Sequence, residues 1–212
     1  MKSQETTYPQ TTMKFTLATK QHMTEFFGED GKVHPATLLK ASPLTVTALK
    51  TVEKDGYVAI QVGQGTQKTS RVSKALLGHM KGEAYSVVKE FRTEFGDLAV
   101  GATLACDIFN KGDVVTLSSI SKGKGFQGVM KRHGMHGGWH QHGQKHSMRE
   151  VGSIGSTGQQ RVNKGKRMPG RMGSDRVTLK NVSILDVDAE NGYILVQGAV
   201  AGKRGTVVEI KA

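Results

Sequence analysis

Short apolar runs, many with period-two alternation, dominate both ends of the chain. Before residue 121 they include KFTLATK, LTVTALKTV, YVAIQVG and DVVTLSSI, and after residue 176 they include VTLKNVSILDVD, YILVQGAV and TVVEIK. Alternating apolar and polar positions rich in β-branched residues are typical of strands with one buried face. Turn sequences such as EKDG, NKGD and ENG separate many of the runs. The pattern predicts a mainly β chain.

Helical patterns are scarce in the same regions. Only SKALLGHMKG, at residues 73–82, has the composition of a short helix, and its glycines limit its length. Many short strands with few helices are typical of closed antiparallel barrels and sandwiches. We therefore predict a body that is a closed antiparallel β-barrel.

Residues 121–176 interrupt the β pattern. They contain thirteen glycines but only four Val, Ile or Leu residues, whereas residues 177–212 contain thirteen Val, Ile or Leu. A segment so poor in apolar side chains cannot offset the entropy of ordering its own backbone. We predict a long, irregular, basic Gly-rich insertion loop at 121–176, a barrel body at 13–120 and 177–212, and a disordered tail at 1–12.

The insertion also carries most of the positive charge of the 212-residue chain. The whole chain has a formal net charge of +12, and residues 121–176, with twelve Lys or Arg and two acids, account for +10 of it. Charge of this sign and density predicts a polyanionic partner, above all nucleic acid. An acidic membrane surface is the second candidate. No apolar run approaches the roughly 20 residues of a membrane span, and we expect nucleic acid and no membrane as the partner.

A single cysteine, Cys106, excludes an internal disulfide and a multi-cysteine zinc site. It lies in the apolar run ATLACDIF, which predicts a buried and unreactive thiol. A reducing cytoplasm fits this composition.

The stretch KGKGFQG, residues 122–128, has the G-x-G-x-x-G spacing of dinucleotide-binding loops. Such a loop requires a supporting helix directly afterwards, and the many glycines between 134 and 143 argue against one. No nucleotide cofactor is therefore expected. The same glycines allow the backbone to approach a phosphate, while Lys122 and Lys124 neutralise it. Phe126 suits either stacking on a base or packing at the edge of the body.

Five of the eight histidines fall between residues 133 and 146. Imidazoles bind transition metals, but the surrounding lysines and arginines oppose a divalent cation. Imidazoles also stack on bases and donate hydrogen bonds to phosphates. Nucleic-acid contact is therefore favoured, with metal binding and local packing as alternatives. Trp139, the only tryptophan, suits stacking on a nucleobase or docking on the β body.

A second basic cluster, GQQRVNKGKRMPGRMGSDR, alternates cations with small residues. Its pattern suits irregular folded RNA better than the regular groove of DNA. No acid pair or nucleophile–base arrangement supports catalysis, so the chain is not expected to be an enzyme. The predicted RNA-binding residues are Lys122, Lys124, Phe126, Lys131, Arg132, His133, His136, Trp139, His140, His142, Lys145, His146, Arg149, Arg161, Lys164, Lys166, Arg167, Arg171 and Arg176.

Motifs along nearly the whole chain resemble those of the large-subunit ribosomal protein three family in its bacterial form. They are SKGKGFQGVMKRHG, GSIG and KGKRMPGRMG in the insertion, and FGEDGKVHPATLL, EKDGYVAIQVG and ILVQGAVAGKRG in the body. The resemblance implies a barrel on the surface of the large ribosomal subunit and an extension that runs into rRNA. It further implies a cytoplasmic structural protein without a cofactor, which acts early in subunit assembly.

The resemblance also implies that the tip of the extension approaches the peptidyl-transferase centre. A methylated glutamine at this tip in family members makes Gln159 or Gln160 the candidate substrate of a glutamine methyltransferase. The expected neighbours are large-subunit rRNA and the large-subunit ribosomal proteins fourteen and nineteen. The tip maps to the residues that follow GSIG, namely Gly155, Ser156, Thr157, Gly158, Gln159 and Gln160.

The chain departs from the family pattern at four positions. Ala18 and His22 stand where glycines are usual, Val151 replaces an expected proline, and Glu150 adds an acid on the implied RNA path. The alternatives to a ribosomal constituent are a histidine-rich metal-binding protein and a free RNA chaperone or translation regulator.

Overall fold

The computed structural model describes residues 14–29, 31–94, 98–104 and 108–212. Two compact units result: the first comprises the described residues up to Ser119 together with Val177–Ala212, and the second comprises Ile120–Arg176. Cys106 and the predicted tail at 1–12 lie outside the described residues, so the predictions made for them stay predictions.

Strands dominate the part of the chain that the structure describes. The short helices are α1 (Val52–Asp55), α2 (Lys74–His79) and α3 (Val129–His133), with single 3-10 turns at Thr69–Arg71 and Thr157–Gln159. No helix in the described ranges is both long and apolar enough to cross a membrane. The strands are β1 (Phe15–Phe27), β2 (Val33–Ala41), β3 (Leu44–Lys50), β4 (Ala59–Thr66), β5 (Tyr85–Phe91), β6 (Thr103–Leu104), β7 (Val114–Ile120), β8 (Gly125–Gln127), β9 (Gly170–Met172), β10 (Arg176–Asp188), β11 (Tyr193–Gln197) and β12 (Val207–Lys211).

Six of these strands close into a barrel. Their order is β1-β12-β7-β10-β11-β2, and β2 pairs back with β1. Alternation along each strand explains the closure, because one row of side chains faces inward: in β12, Val208 and Ile210 are buried between half-buried neighbours. The predicted mainly β fold with a closed antiparallel barrel is confirmed. The barrel core is formed by Ala18, Leu39, Ala41, Phe109, Val115, Leu117, Ile184, Ile194, Val196, Val200, Val208 and Ile210.

Two of the departures from the family pattern, Ala18 and His22, lie in strand β1. Ala18 is fully buried and pairs with Val208 on one side and with Ala41 on the other. The register between β1 and β2 shifts between Lys20 and Met23, a stretch that includes His22. Such an irregularity bends a strand without ending it, and β1 continues to its full thirteen residues.

A second sheet of the first unit has the strand order β5-β4-β3-β6. Its core includes Phe15 and Leu17 of β1, so β1 contributes side chains to both hydrophobic cores. The Phe15 and Phe91 rings stack with centroids 4.3 Å apart. The apolar runs predict these strands individually, but the division of the body into a barrel and a four-stranded sheet is a finding of the structure.

Helix α2 and the NKGD turn of the body form where the sequence predicts them. Helix α2 confirms the short helix predicted within 73–82, and the Ser73 hydroxyl caps it by accepting a hydrogen bond from the Leu76 N–H at 3.3 Å. In the NKGD turn the Asp113 carboxylate accepts from the Lys14 ammonium at 2.9 Å and from the Asn110 N–H at 3.1 Å. These bonds to its charged form lower the pKa of Asp113.

The Phe15–Phe91 stack yields a stability prediction. Replacing Phe91 with alanine removes a fully buried ring, and we expect the free energy of unfolding to fall by about 3–5 kcal/mol. Guanidinium denaturation followed by far-UV circular dichroism measures the change. The matched control is Phe27→Ala, whose ring is 73% exposed and whose loss should cost about 0.5 kcal/mol or less. Equal losses for the two variants would show that the second core does not stabilise the body.

Candidate nucleic-acid interface

The two ends of the insertion pair with each other inside the second unit. Strands β8 and β9 are antiparallel, with Phe126 opposite Arg171. The pairing continues beyond the strands, since the Lys124 N–H donates to the Met172 carbonyl and the Ser121 N–H donates to the Asp175 carbonyl, both at 2.9 Å. We call residues 121–127 and 170–175 the stem.

Gly173 permits the close approach of the two stem segments. Its φ is +76°, a left-handed conformation, and a Cβ at this position would overlap the carbonyl oxygen of Lys122. Only glycine satisfies both conditions at low cost. The composition that makes the insertion poor in apolar side chains therefore also allows its backbone to pack.

Helix α3 follows β8 directly, at a place where the glycine-rich sequence predicts no supporting helix. Five residues fit before Gly134, which ends the helix with φ +67° and donates its N–H to the Met130 carbonyl at 2.9 Å. The glycine-rich sequence beyond this point does stop the helix. The prediction fails only for the single turn that precedes the first of these glycines.

Two predicted contact residues stabilise the unit internally. The Arg132 Nη1 and the His133 Nε2 both donate to the carbonyl oxygen of Met168, at 2.8 and 3.1 Å, which fixes α3 beside the segment that leads into β9. A Cβ on Gly170 would lie 2.5 Å from the Arg132 Nη1, so this guanidinium occupies the space that the glycine leaves. Both side chains are half-buried.

The first two glycines of the G-x-G-x-x-G motif, Gly123 and Gly125, lie in this stem. Gly125 lies in the short antiparallel strand β8, and Gly128 precedes a helix of five residues. A dinucleotide loop instead joins a parallel strand to a long helix whose N-terminus faces the pyrophosphate. The geometry does not support a nucleotide cofactor here.

The remaining contact candidates are exposed. Of the nineteen predicted residues, all except Arg132 and His133 have exposed side chains. Among the described residues, the eleven Lys and Arg side chains from Lys122 to Arg171 form no ion pair with a carboxylate. Cations of the first unit do pair, as Lys50 does with Asp55 at 2.9 Å. The insertion therefore presents positive charge that the described part of the chain does not neutralise.

Two aromatic side chains stand among these cations. The Phe126 ring is 75% exposed and the Trp139 indole is 82% exposed. Phe126 and Arg171 face each other across the stem, where opposite side chains lie close together. An exposed ring and an exposed guanidinium at paired strand positions combine stacking and charge, as surfaces that bind single-stranded nucleic acid do.

The histidines do not converge. Within the described ranges, no group of three or more His, Cys, Asp and Glu side chains is arranged to hold a metal ion. His133 bonds to the Met168 carbonyl, and His136, His140, His142 and His146 are exposed. The structure gives no support to the metal-binding alternative.

The predicted tip forms a tight, exposed loop. Thr157–Gln159 make a 3-10 turn, and the Gln160 N–H donates to the Thr157 carbonyl at 3.2 Å. A Cβ on Gly155 would lie 3.8 Å from the Arg161 carbonyl oxygen, so the two sides of the loop come together at its base. Both candidate glutamines are exposed, Gln160 in a left-handed conformation with φ +48°.

Sequence reasoning missed a cleft in the same unit. The cleft has a volume of about 390 Å³, and its lining includes Met135, His136, Gln144, Ser147, Glu150 and Val151. In the sequence, Glu150 stands out only as an acid on a basic path. No sequence signal marks the cleft, because a backbone hydrogen bond from Gly138 to Met148 brings its two sides together.

Comparison with known proteins identifies the family. The family profile described as ribosomal protein L3 matches residues 13–192. The chain is 42% identical over 199 residues to the large ribosomal subunit protein uL3 of Carboxydothermus hydrogenoformans, covering 92% of this chain and 95% of that protein. The chain belongs to the ribosomal protein L3 family. The family resemblance read from the motifs is therefore confirmed.

Other relatives agree with this membership. Large ribosomal subunit protein uL3 of Thermotoga maritima is 42% identical over 205 residues, with 94% of this chain and 97% of that protein covered. The corresponding values for the protein of the same name from Geobacillus thermodenitrificans are 42% over 201 residues, 92% and 94%. As an L3 family member the chain is a ribosomal protein of the translation machinery, located in the cytoplasm.

The stem geometry predicts the effect of a Gly173→Ala substitution. A left-handed non-glycine residue costs roughly 1–2 kcal/mol, and the added Cβ also overlaps the Lys122 carbonyl. We expect hydrogen-exchange protection of the Ser121 and Lys124 amides to fall at least about tenfold. Gly128→Ala is the control, because its Cβ meets nothing within 4 Å and its φ of −69° suits alanine. Unchanged protection in the Gly173 variant would contradict the pairing of the stem.

Proposed function

We propose that this chain is a structural constituent of the large ribosomal subunit that binds large-subunit rRNA through residues 121–176. The observation that carries the proposal is the set of eleven exposed or half-buried cations, Lys122 to Arg171, that form no ion pair with a carboxylate of the described residues. Binding to a phosphate backbone releases condensed counterions and supplies the missing negative charge. Membership in a ribosomal family supports rRNA as the source of these phosphates.

RNA rather than DNA suits the shape of the insertion. Its regular elements in the described residues are three-residue strands, a five-residue helix and a 3-10 turn, none of which is long enough to read a major groove. Irregular RNA instead offers loops, bulges and unstacked bases to exposed rings and cations. Phe126 and Trp139 are the side chains that we assign to base or sugar stacking.

We extend the proposal to the tip and to assembly. Residues Gly155 to Gln160 approach the peptidyl-transferase centre, and either Gln159 or Gln160 is the substrate of a glutamine methyltransferase. The exposure of both side chains supports access by a modifying enzyme. The barrel contacts the neighbouring ribosomal proteins fourteen and nineteen, and binding of the chain to rRNA early in assembly orders both partners. The role is one of scaffolding, without chemistry of its own.

Sedimentation of a native cell lysate tests the function. Gradient fractions are probed for this chain before and after a high-salt wash. We expect stoichiometric retention on the large subunit through the wash, because an extension enclosed by folded RNA dissociates far more slowly than a surface-bound cation patch. Release at high salt, or a peak only in the light fractions, would favour the free RNA chaperone or regulator instead.

The salt dependence of rRNA binding tests the interface itself. Changing Lys164, Lys166, Arg167 and Arg171 together to glutamine should reduce the slope of log affinity against log salt by about 3, or roughly 0.7–0.9 for each phosphate contact. The matched control changes four exposed lysines of the first unit to glutamine and should leave the slope nearly unchanged; these are Lys54, Lys68, Lys74 and Lys81. Equal slopes for the two variants would show that the insertion does not contact phosphate.

A further inference from the structure

The cleft lined by Glu150 is a feature that phosphate binding does not explain. Its volume of about 390 Å³ lies near the lower end of the range of about 300–1,000 Å³ found for small-ligand sites. Half-buried Met135 and Val151 supply apolar lining, while Gln144, Ser147 and Glu150 supply polar groups. A phosphate site would need cations in the lining, and the cleft residues include no lysine or arginine.

Backbone contacts hold the walls of the cleft in place. The Gly138 N–H donates to the Met148 carbonyl at 3.0 Å, and a Cβ on Gly137 would overlap the same carbonyl oxygen. A Cβ on Gly138 would lie 3.0 Å from the Ser147 carbonyl oxygen. The two sides are therefore as close as glycine allows, and the cleft lies between them.

Glu150 is the acid of this cleft, and its charge is not used internally. Among the described residues it forms no ion pair, although the unit around it contains twelve Lys and Arg residues. A carboxylate on a surface that binds phosphates lowers the affinity for RNA unless it accepts hydrogen bonds from the RNA. RNA carries such donors on its base N–H groups and on its ribose 2′-hydroxyls, whereas phosphates and ether oxygens carry no proton to donate. Two adjacent donors, one for each carboxylate oxygen, are found only on the edge of a base.

The geometry points to a base-binding site: we propose that the cleft binds one unstacked guanine of the RNA, whose N1–H and N2 amino group donate to the two carboxylate oxygens of Glu150. This inference rests on the proposed RNA binding and adds the base that the RNA places here. Guanine is favoured because its Watson–Crick edge carries two adjacent donors, which match the two acceptor oxygens of a carboxylate.

Other bases match the cleft less well. Adenine and cytosine each present one amino donor beside a ring acceptor that would face the second carboxylate oxygen, and uracil presents one N–H between two carbonyls. The Hoogsteen edge of guanine carries the O6 and N7 acceptors. Donors for them are present in the lining, in the Gln144 amide, the Ser147 hydroxyl and the His136 ring.

Fluorescence anisotropy with labelled oligonucleotides tests the proposal on the full-length chain. The probes are a short oligouridine and the same oligomer with one central guanosine, inosine or adenosine. We expect the guanosine probe to bind about tenfold more tightly than oligouridine, and inosine, which lacks the N2 amino group, to lose most of this gain. Glu150→Gln should remove the guanosine preference, because an amide cannot accept both hydrogen bonds.

Asp175→Asn is the matched control. Asp175 is the other acid of residues 121–176, and its replacement changes the net charge by the same amount. We expect it to raise affinity slightly for every probe and to preserve the guanosine preference. The Gly138 amide, by its hydrogen-exchange protection, reports whether the cleft survives in the Glu150 variant.

The outcomes separate this inference from the function on which it rests. Equal affinity for guanosine and uridine probes, with a steep salt dependence, would overturn the guanine site and leave RNA binding intact. Identical effects of the Glu150 and Asp175 variants on all probes would also overturn it, since the carboxylate would then act only as a charge. Absence of binding to every probe and to rRNA would overturn both proposals.

Discussion

Closure of the barrel by backbone hydrogen bonds is the constraint on which the other features depend. The first described strand, β1, bonds to the last strand, β12, on one side and to β2 on the other, so the six strands leave no unpaired edge. Strands β7 and β10 are neighbours in this ring, and the chain between them forms the insertion. Because β7 and β10 run in opposite directions, the end of one and the start of the other lie at the same end of the barrel.

The two units are stabilised in different ways. The body buries alternating apolar side chains, and several of its lysines pair with carboxylates, as Lys89 does with Glu209 at 3.1 Å. The insertion instead relies on backbone hydrogen bonds, close glycine contacts and the two side-chain donors on the Met168 carbonyl. Of the eleven cations from Lys122 to Arg171, only Arg132 makes a side-chain hydrogen bond among the described residues, so the other ten are available to phosphate.

The sequence predicts the strands of the body well because the burial pattern and the turns there depend on residues close together in the sequence. Period-two runs such as VVEIK and YILVQ mark one buried face, and the NKGD turn supplies its own carboxylate acceptor. The stem escapes prediction because β8 and β9 are three residues long and pair across more than forty residues of sequence. No local sequence pattern predicts that Arg132 and His133 both donate to the Met168 carbonyl. Nor does one predict the hydrogen bond from Gly138 to Met148 that brings together the two sides of the Glu150 cleft.

The fluorescence of the single tryptophan comes from only one of the two units. Trp139 is the only tryptophan of the chain, lies in the second unit and is 82% exposed. Its surroundings are already close to those of the unfolded chain, so its emission is nearly blind to melting of the barrel. Circular dichroism follows the strands, whereas tryptophan emission reports only on the surroundings of Trp139 in the second unit. A mismatch between the two curves would therefore reflect the position of the chromophore and would not by itself reveal a folding intermediate.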